Sequence, residues 1–209
     1  ELTYDKAEYR TSHYYFQRML NFASSSANRT TALLGMLRCG QYTDNLTNVV
    51  DVATQLLNQD DISEAIRQEA LYYRAKAHLN KQQYGLAVVD LTPLSKEVRT
   101  SIGAESKYLL AEAYFQLGSV ELAEQEVMSF TQMQTSQQYW LAKSLILLSD
   151  INVQRNDIFQ AKQYLLALQG NYRQEDDIPT IIAEKLAALE DTEKTVIEDQ
   201  TEEIEEESL

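Results

Sequence analysis

The feature that most constrains the fold of this chain is a pair of small residues that recurs at a fixed separation. Three segments align without gaps, and in each a small residue is followed twelve positions later by an alanine. The pairs are Ala75 with Ala87, Ala111 with Ala123, and Ser149 with Ala161, and they recur at almost equal intervals along the chain. Two antiparallel helices approach closely only where both carry small side chains. The spacing therefore predicts an all-α array of helix–turn–helix units.

The same alignment extends weakly towards the N-terminus. One repeat before Ala75 stands Gly35, within a predicted first helix over Ala32–Cys39. Its partner position, at the same offset as in the other pairs, is Thr47, in a stretch over 44–57 whose apolar residues have helical spacing. One repeat before Thr47 is Ala7, so the segment 4–22 is predicted to be the second helix of a unit whose first helix lies upstream.

Towards the C-terminus, Ala187 lies one repeat after Ser149, in a predicted helix over Pro179–Leu189. Proline is favoured at the first position of a helix, and an unpaired last helix is typical of the cap of a repeat array. The predicted units cover residues 1–27 (partial), 28–60, 61–100, 101–135 and 136–172, followed by a cap over 178–195 and an acidic, disordered tail over 196–209.

Composition excludes several classes of protein. Only 6 Gly and 2 Pro occur in 209 residues, too few for a turn-rich β fold. The net charge is −14, and ten acidic residues against one lysine lie between Glu190 and the last residue. Nucleic acids and anionic membranes both require a basic face, so neither is predicted as a partner. No apolar run approaches the length of a membrane span, so direct membrane insertion is not predicted either.

The repeats resemble tetratricopeptide repeats (TPR). The best match is the unit that contains Leu110–Ala111, Tyr114, Leu117–Gly118, Ala123 and Val127. The other two units depart from the family at His78 and Asn152, where tyrosine is usual, and every unit lacks the family's early tryptophan. The resemblance implies a right-handed α–α superhelix of about three to four helix pairs with a C-terminal capping helix. It also implies the C-terminal part of a longer, bacterial TPR protein.

Residues with catalytic or metal-binding chemistry are sparse. His13 and His78 lie in different units, and the single cysteine, Cys39, is expected to be a buried apolar thiol. The acidic pairs Asp60–Asp61 and Asp176–Asp177 stand before predicted helices, where they are expected to act as caps. No catalytic residue, metal ligand or cofactor site is predicted.

The resemblance to TPR proteins implies a binding surface on the first helices of the units, where that family holds extended peptides. Its inward residues in this chain would include Glu69, Glu105, Lys143 and Ile146. The residues predicted to bind a peptide are Tyr72, Lys76, Asn80, Tyr108, Glu112, Phe115, Gln116, Asp150 and Gln154. The aromatic residues would grip side chains, and the amides would bond a peptide backbone. There are two alternatives to a peptide groove. Solvated helix faces carry such residues as well, and neighbouring units could cover the aromatic side chains.

Two functions follow from the sequence. The first is a non-catalytic scaffold that binds a peptide or protein partner on the repeat surface. The second is a helical accessory domain of a larger enzyme whose catalytic part precedes residue 1. The sequence upstream would separate them, since further repeats favour the scaffold and a nucleotide or metal motif favours the enzyme. A cytoplasmic and a periplasmic location are both compatible with a single cysteine.

Overall fold

The structure, a computed structural model, describes residues 6–42 and 46–191, with side chains over 8–42 and 48–191. All regular structure in those ranges is helical, which confirms the all-α class. The helices are α1 (Lys6–Asn21), α2 (Ser26–Gly40), α3 (Leu46–Leu57), α4 (Glu64–Asn80), α5 (Tyr84–Leu94), α6 (Ser101–Gln116), α7 (Val120–Gln132), α8 (Gln138–Gln154), α9 (Ile158–Asn171) and α10 (residues 178–191).

The helices pack in chain order. From α1 to α9 each helix contacts the one that follows it, and α2, α4, α6 and α8 also contact one another in succession. Helix α10 packs on α8 and α9 through Ile178, Ile182 and Leu189. These three side chains share one apolar cluster with residues of the last helix pair. The tail over 196–209 lies outside the described residues, as do Tyr4 and the side chains of Ala7 and Thr47.

The predicted small residues are buried between the packed helices. The four alanines of the first two pairs are fully buried, and in the third pair the exposed fraction is at most 1% for each residue. The pairs are Ala75 with Ala87, Ala111 with Ala123, and Ser149 with Ala161. Gly35 is also buried, and a Cβ atom at this position would lie 2.4 Å from the ring of Phe16 in α1. A small residue at this point therefore permits the close contact between α1 and α2.

The turns of the three best units have the same geometry, which the sequence did not predict. In each, the residue seven positions after the first small residue has a left-handed backbone: Gln82 (φ 57°), Gly118 (φ 74°) and Asn156 (φ 61°). The residue after it donates its N–H back into the first helix, to the carbonyls of His78 (2.8 Å), Tyr114 (2.9 Å) and Asn152 (2.9 Å). This bond is part of the Schellman motif that ends a helix.

Two details of capping differ from the sequence prediction. Ser63, rather than Asp60 or Asp61, caps α4, because its Oγ accepts the N–H of Ile66. Helix α10 begins at residue 178, so Pro179 is its second helical residue rather than its first. The side chain of Asp176 accepts the N–H of Ile178 at 3.0 Å, so this aspartate satisfies the first free N–H of the helix, and the carbonyl of Asp177 accepts the N–H of Ile181.

Candidate functional site

The predicted binding residues lie on the first helices, where several of them hold successive units together. Lys76 of α4 donates from Nζ to Glu105 Oε1 of α6 and to Tyr72 Oη, both at 3.0 Å. Asp150 of α8 accepts a bond of 2.5 Å from Lys185 of α10. Arg38 of α2 makes a two-pronged contact with Glu69 of α4, at 2.6 and 2.8 Å. An ion pair therefore joins α2 to α4, α4 to α6, and α8 to α10.

The link between α6 and α8 is aromatic. The ring of Tyr108 is stacked on Trp140 with centroids 5.8 Å apart, and Lys143 Nζ lies 5.6 Å from the centroid of the same ring. The hydroxyl of Tyr108 donates to Glu112 at 2.8 Å. Burial raises the pKa of Tyr108 above its ordinary value, and the negative charge of Glu112 raises it further.

The two tyrosines that were predicted to grip a ligand present little surface. Tyr72 and Tyr108 are each 9% exposed. The pKa of Tyr72 is also raised, first by burial and then by its bond with Glu105. Their rings fill the junctions between units, which is the alternative that sequence reasoning left open, while Phe115 is half-buried against the same apolar cluster as Tyr108.

A cleft between α4 and α6 brings four of the nine predicted residues together. It has a volume of about 310 Å³, and it is lined by Lys76, Asn80, Glu112 and Gln116 with an apolar floor. The floor consists of Leu79, Tyr84 and Leu109. The structure does not bring Gln154 into this cleft, although it stands at the same repeat position in α8.

Asn80 and Gln116 occupy equivalent positions, each at the same short distance after the small residue of its unit. Both side chains are exposed, and neither amide has a hydrogen-bond partner among the described residues. A primary amide carries both donors and an acceptor, which match the groups of a peptide bond. The cleft therefore combines unused hydrogen-bonding groups at its rim with an apolar floor.

The charged pairs between units were not predicted, although the sequence holds a signal for them. In two successive pairs of units, two charged residues of opposite sign correspond. One stands six positions before the small residue of the later unit, and the other directly follows the small residue of the earlier unit. This holds for Lys76 with Glu105 and for Glu112 with Lys143. The first of these is an ion pair in the structure, whereas Lys143 and Glu112 both contact Tyr108 instead.

A larger cavity, of about 490 Å³, lies between α1, α2 and α4 and was not anticipated. Aromatic rings line it, including Tyr9, Phe16, Tyr42 and Tyr73. Cys39 also lines it and is buried as predicted, and burial raises the pKa of its thiol. The raised pKa keeps the thiol neutral and unreactive at neutral pH.

The histidines form no cluster with other ligand-type residues. His13 Nε2 lies 2.8 Å from Asn48 Oδ1, and His78 Nδ1 lies 2.9 Å from Gln83 Oε1. Across the described ranges, no three His, Cys, Asp or Glu side chains converge as a metal site would require. None of the helices described for 6–42 and 46–191 is long and apolar enough to cross a membrane.

The chain was compared with family models, with curated proteins and with solved structures. No family model matches the sequence, and no curated protein or solved structure matches the chain.

Proposed function

We propose that this chain is a non-catalytic interaction scaffold that binds an extended peptide segment of a protein partner on its first helices. In this proposal the helix pairs form a TPR-like, right-handed superhelix. Support for the architecture comes from the buried small residues, which keep a constant separation within each helix pair, and from the three equivalent turns. Units that repeat in this way produce one continuous surface of equivalent helices.

The observation that carries the proposal is the cleft between α4 and α6. Its rim holds the amides of Asn80 and Gln116, and its floor is apolar. An extended peptide offers a row of backbone N–H and C=O groups together with side chains that can enter a groove. The amides would bond the backbone, and the floor formed by Leu79, Tyr84 and Leu109 would accept an apolar side chain.

One ion pair and two hydrogen bonds next to the cleft have a supporting role in this proposal. Lys76 is held by Glu105 and Tyr72, and Glu112 is held by Tyr108, so the walls of the cleft are fixed before a ligand arrives. A site that is already ordered loses less conformational entropy on binding. Tyr72 and Tyr108 thus act on the shape of the cleft, and Asn80 and Gln116 are the residues that would contact the ligand.

The test is selection of binders from a random peptide library displayed on phage, followed by measurement of each selected peptide with purified variants. We expect Asn80→Ala with Gln116→Ala to weaken the selected peptides by about tenfold, because two hydrogen bonds are lost. The matched control is Gln125→Ala with Gln163→Ala, which removes two exposed amides from the second helices α7 and α9. Equal binding by both double variants would reject the cleft as the site.

A further inference from the structure

A second surface stands apart from the cleft, where the start of α8, the end of α9 and the start of α10 meet. We call it the tyrosine–carboxylate surface and define it as Tyr139, Tyr172, Asp176 and Asp177. Tyr172 donates its hydroxyl to Asp176 at 2.5 Å, and the hydroxyl of Tyr139 lies 3.4 Å from Asp177 Oδ2. Both aspartates are exposed and both tyrosines are half-buried. This surface thus combines two half-buried aromatic side chains with two exposed carboxylates.

The aromatic part of this surface continues inward. Tyr139 meets Trp140 edge to face, with centroids 4.9 Å apart and an interplanar angle of 82°. Trp140 in turn stacks on Tyr108, over which Lys143 places its ammonium group. The faces of tyrosine and tryptophan rings attract cations, and within the protein the ammonium group of Lys143 already lies over the ring of Tyr108.

Neither Asp176 nor Asp177 is in an ion pair with any described residue. The nearest cation in sequence, Arg173, instead bonds the carbonyl groups of Gln169, Gly170 and Tyr172. Asp176 Oδ1 does accept the N–H of Ile178, but a carboxylate accepts several hydrogen bonds and has capacity left.

The two carboxylates of this surface also act on the hydroxyl of Tyr139. The pKa of Tyr139 is raised above its ordinary value, first by burial and then by the charges of Asp177, Asp176 and Glu105. Asp177 and Asp176 are thus the carboxylates of this surface that act on the Tyr139 hydroxyl. The chain as a whole carries −14, which adds long-range attraction for a positively charged partner.

We propose that the tyrosine–carboxylate surface binds a lysine or arginine side chain of the partner protein. This inference rests on the proposed function in taking a protein as the partner. The cation would lie against the ring of Tyr139 and between the carboxylates of Asp176 and Asp177. Both interactions require the positive charge, so the surface selects basic segments over neutral or acidic ones.

The only tryptophan in the chain, Trp140, provides a reporter at this position because it touches Tyr139. The probe is a short acetylated peptide of glycine and serine with three arginines, and its control has citrulline in place of each arginine. Citrulline keeps the shape of arginine without the charge. At physiological ionic strength we expect the arginine peptide to change Trp140 emission saturably and to bind about tenfold more tightly than the citrulline peptide.

Two double variants with the same change in net charge decide whether the site is local. Asp176→Asn with Asp177→Asn should weaken the arginine peptide about fivefold, because exposed charge pairs contribute modestly. Asparagine still caps a helix, so α10 is expected to persist, which circular dichroism checks. Asp60→Asn with Asp61→Asn, at an exposed acidic pair before α4, should leave binding within about twofold of the wild type.

Equal weakening by both double variants, equal binding of the citrulline peptide, or no saturable change in Trp140 emission would each overturn the inference. The library selection separates this result from the proposed function. If the arginine peptide fails these tests while selected peptides still depend on Asn80 and Gln116, the cation site alone is rejected and the scaffold proposal stands.

Discussion

Replacing Gln82 with glycine is expected to stabilise the protein, although it places glycine next to a helix. Gln82 has φ 57°, and its equivalents are Gly118 at φ 74° and Asn156 at φ 61°. A left-handed backbone costs an L-residue roughly 1–2 kcal/mol, and glycine avoids this cost. Glycine also has more conformational freedom in the unfolded chain, which lowers the free energy of unfolding by roughly 0.4–1 kcal/mol. The net expectation is a gain of about 0.5–1 kcal/mol for Gln82→Gly, and less for Asn156→Gly because asparagine tolerates this conformation.

The assay is urea unfolding followed by circular dichroism, together with thermal melts. For a chain of this length the gain corresponds to a rise in Tm of about 1–4 °C. Gln125→Gly is the matched control, since it makes the same substitution at an exposed position within α7 and should cost about 1 kcal/mol. Gly118→Gln should destabilise by about 1 kcal/mol. A loss for Gln82→Gly as large as that for Gln125→Gly would refute the repeated turn geometry.

Three further perturbations test other parts of the structure. Gly103→Ala should destabilise by about 1–3 kcal/mol in urea unfolding, since its Cβ would lie 2.0 Å from a backbone oxygen, whereas Gly85→Ala has open space and should gain about 0.5–1 kcal/mol. Asp90→Ala should cost about 3 kcal/mol in the same assay because it leaves Arg74 half-buried without its partner. On titration of the folded protein to pH 11, absorbance at 295 nm should rise equally in the wild type and in Tyr108→Phe, because Tyr108 stays neutral. The pKa of Tyr108 is higher in the folded chain than in the unfolded chain, so folding favours the neutral phenol. The free energy of unfolding therefore falls as the pH rises above the ordinary tyrosine pKa of about 10. Tyr108→Phe removes this titration and should reduce the alkaline destabilisation.

The helix pairs were predictable because their determinant is local and periodic. A crossing between two helices needs a small residue at one position on each, so Ala111 and Ala123 mark the contact in the sequence itself. The left-handed turns were missed for the opposite reason. Gly118 signals such a turn and Asn156 tolerates it, but Gln82 gives no signal, because the hydrogen bonds of the helix end impose this conformation on a residue that does not favour it.

The candidate site was predictable in part. Asn80 and Gln116 were found because equivalent positions in neighbouring units lie side by side on a repeat surface. The burial of Tyr108 was not, because it depends on Trp140, which lies outside the aligned positions of the repeat. The position of one helix relative to the next decides which side chains are covered. That geometry comes from packing between units, which no single repeat encodes.

Binding of an extended peptide on the first helices is the central claim, and chemical-shift mapping tests it most directly. The measurement is the change in the amide ¹H–¹⁵N shifts of the whole chain as a peptide selected from the library is added. We expect the largest changes at the last turns of α4 and α6, including the side-chain amides of Asn80 and Gln116. Changes concentrated instead on the exposed face of α5, around Leu86 and Val89, would contradict the account.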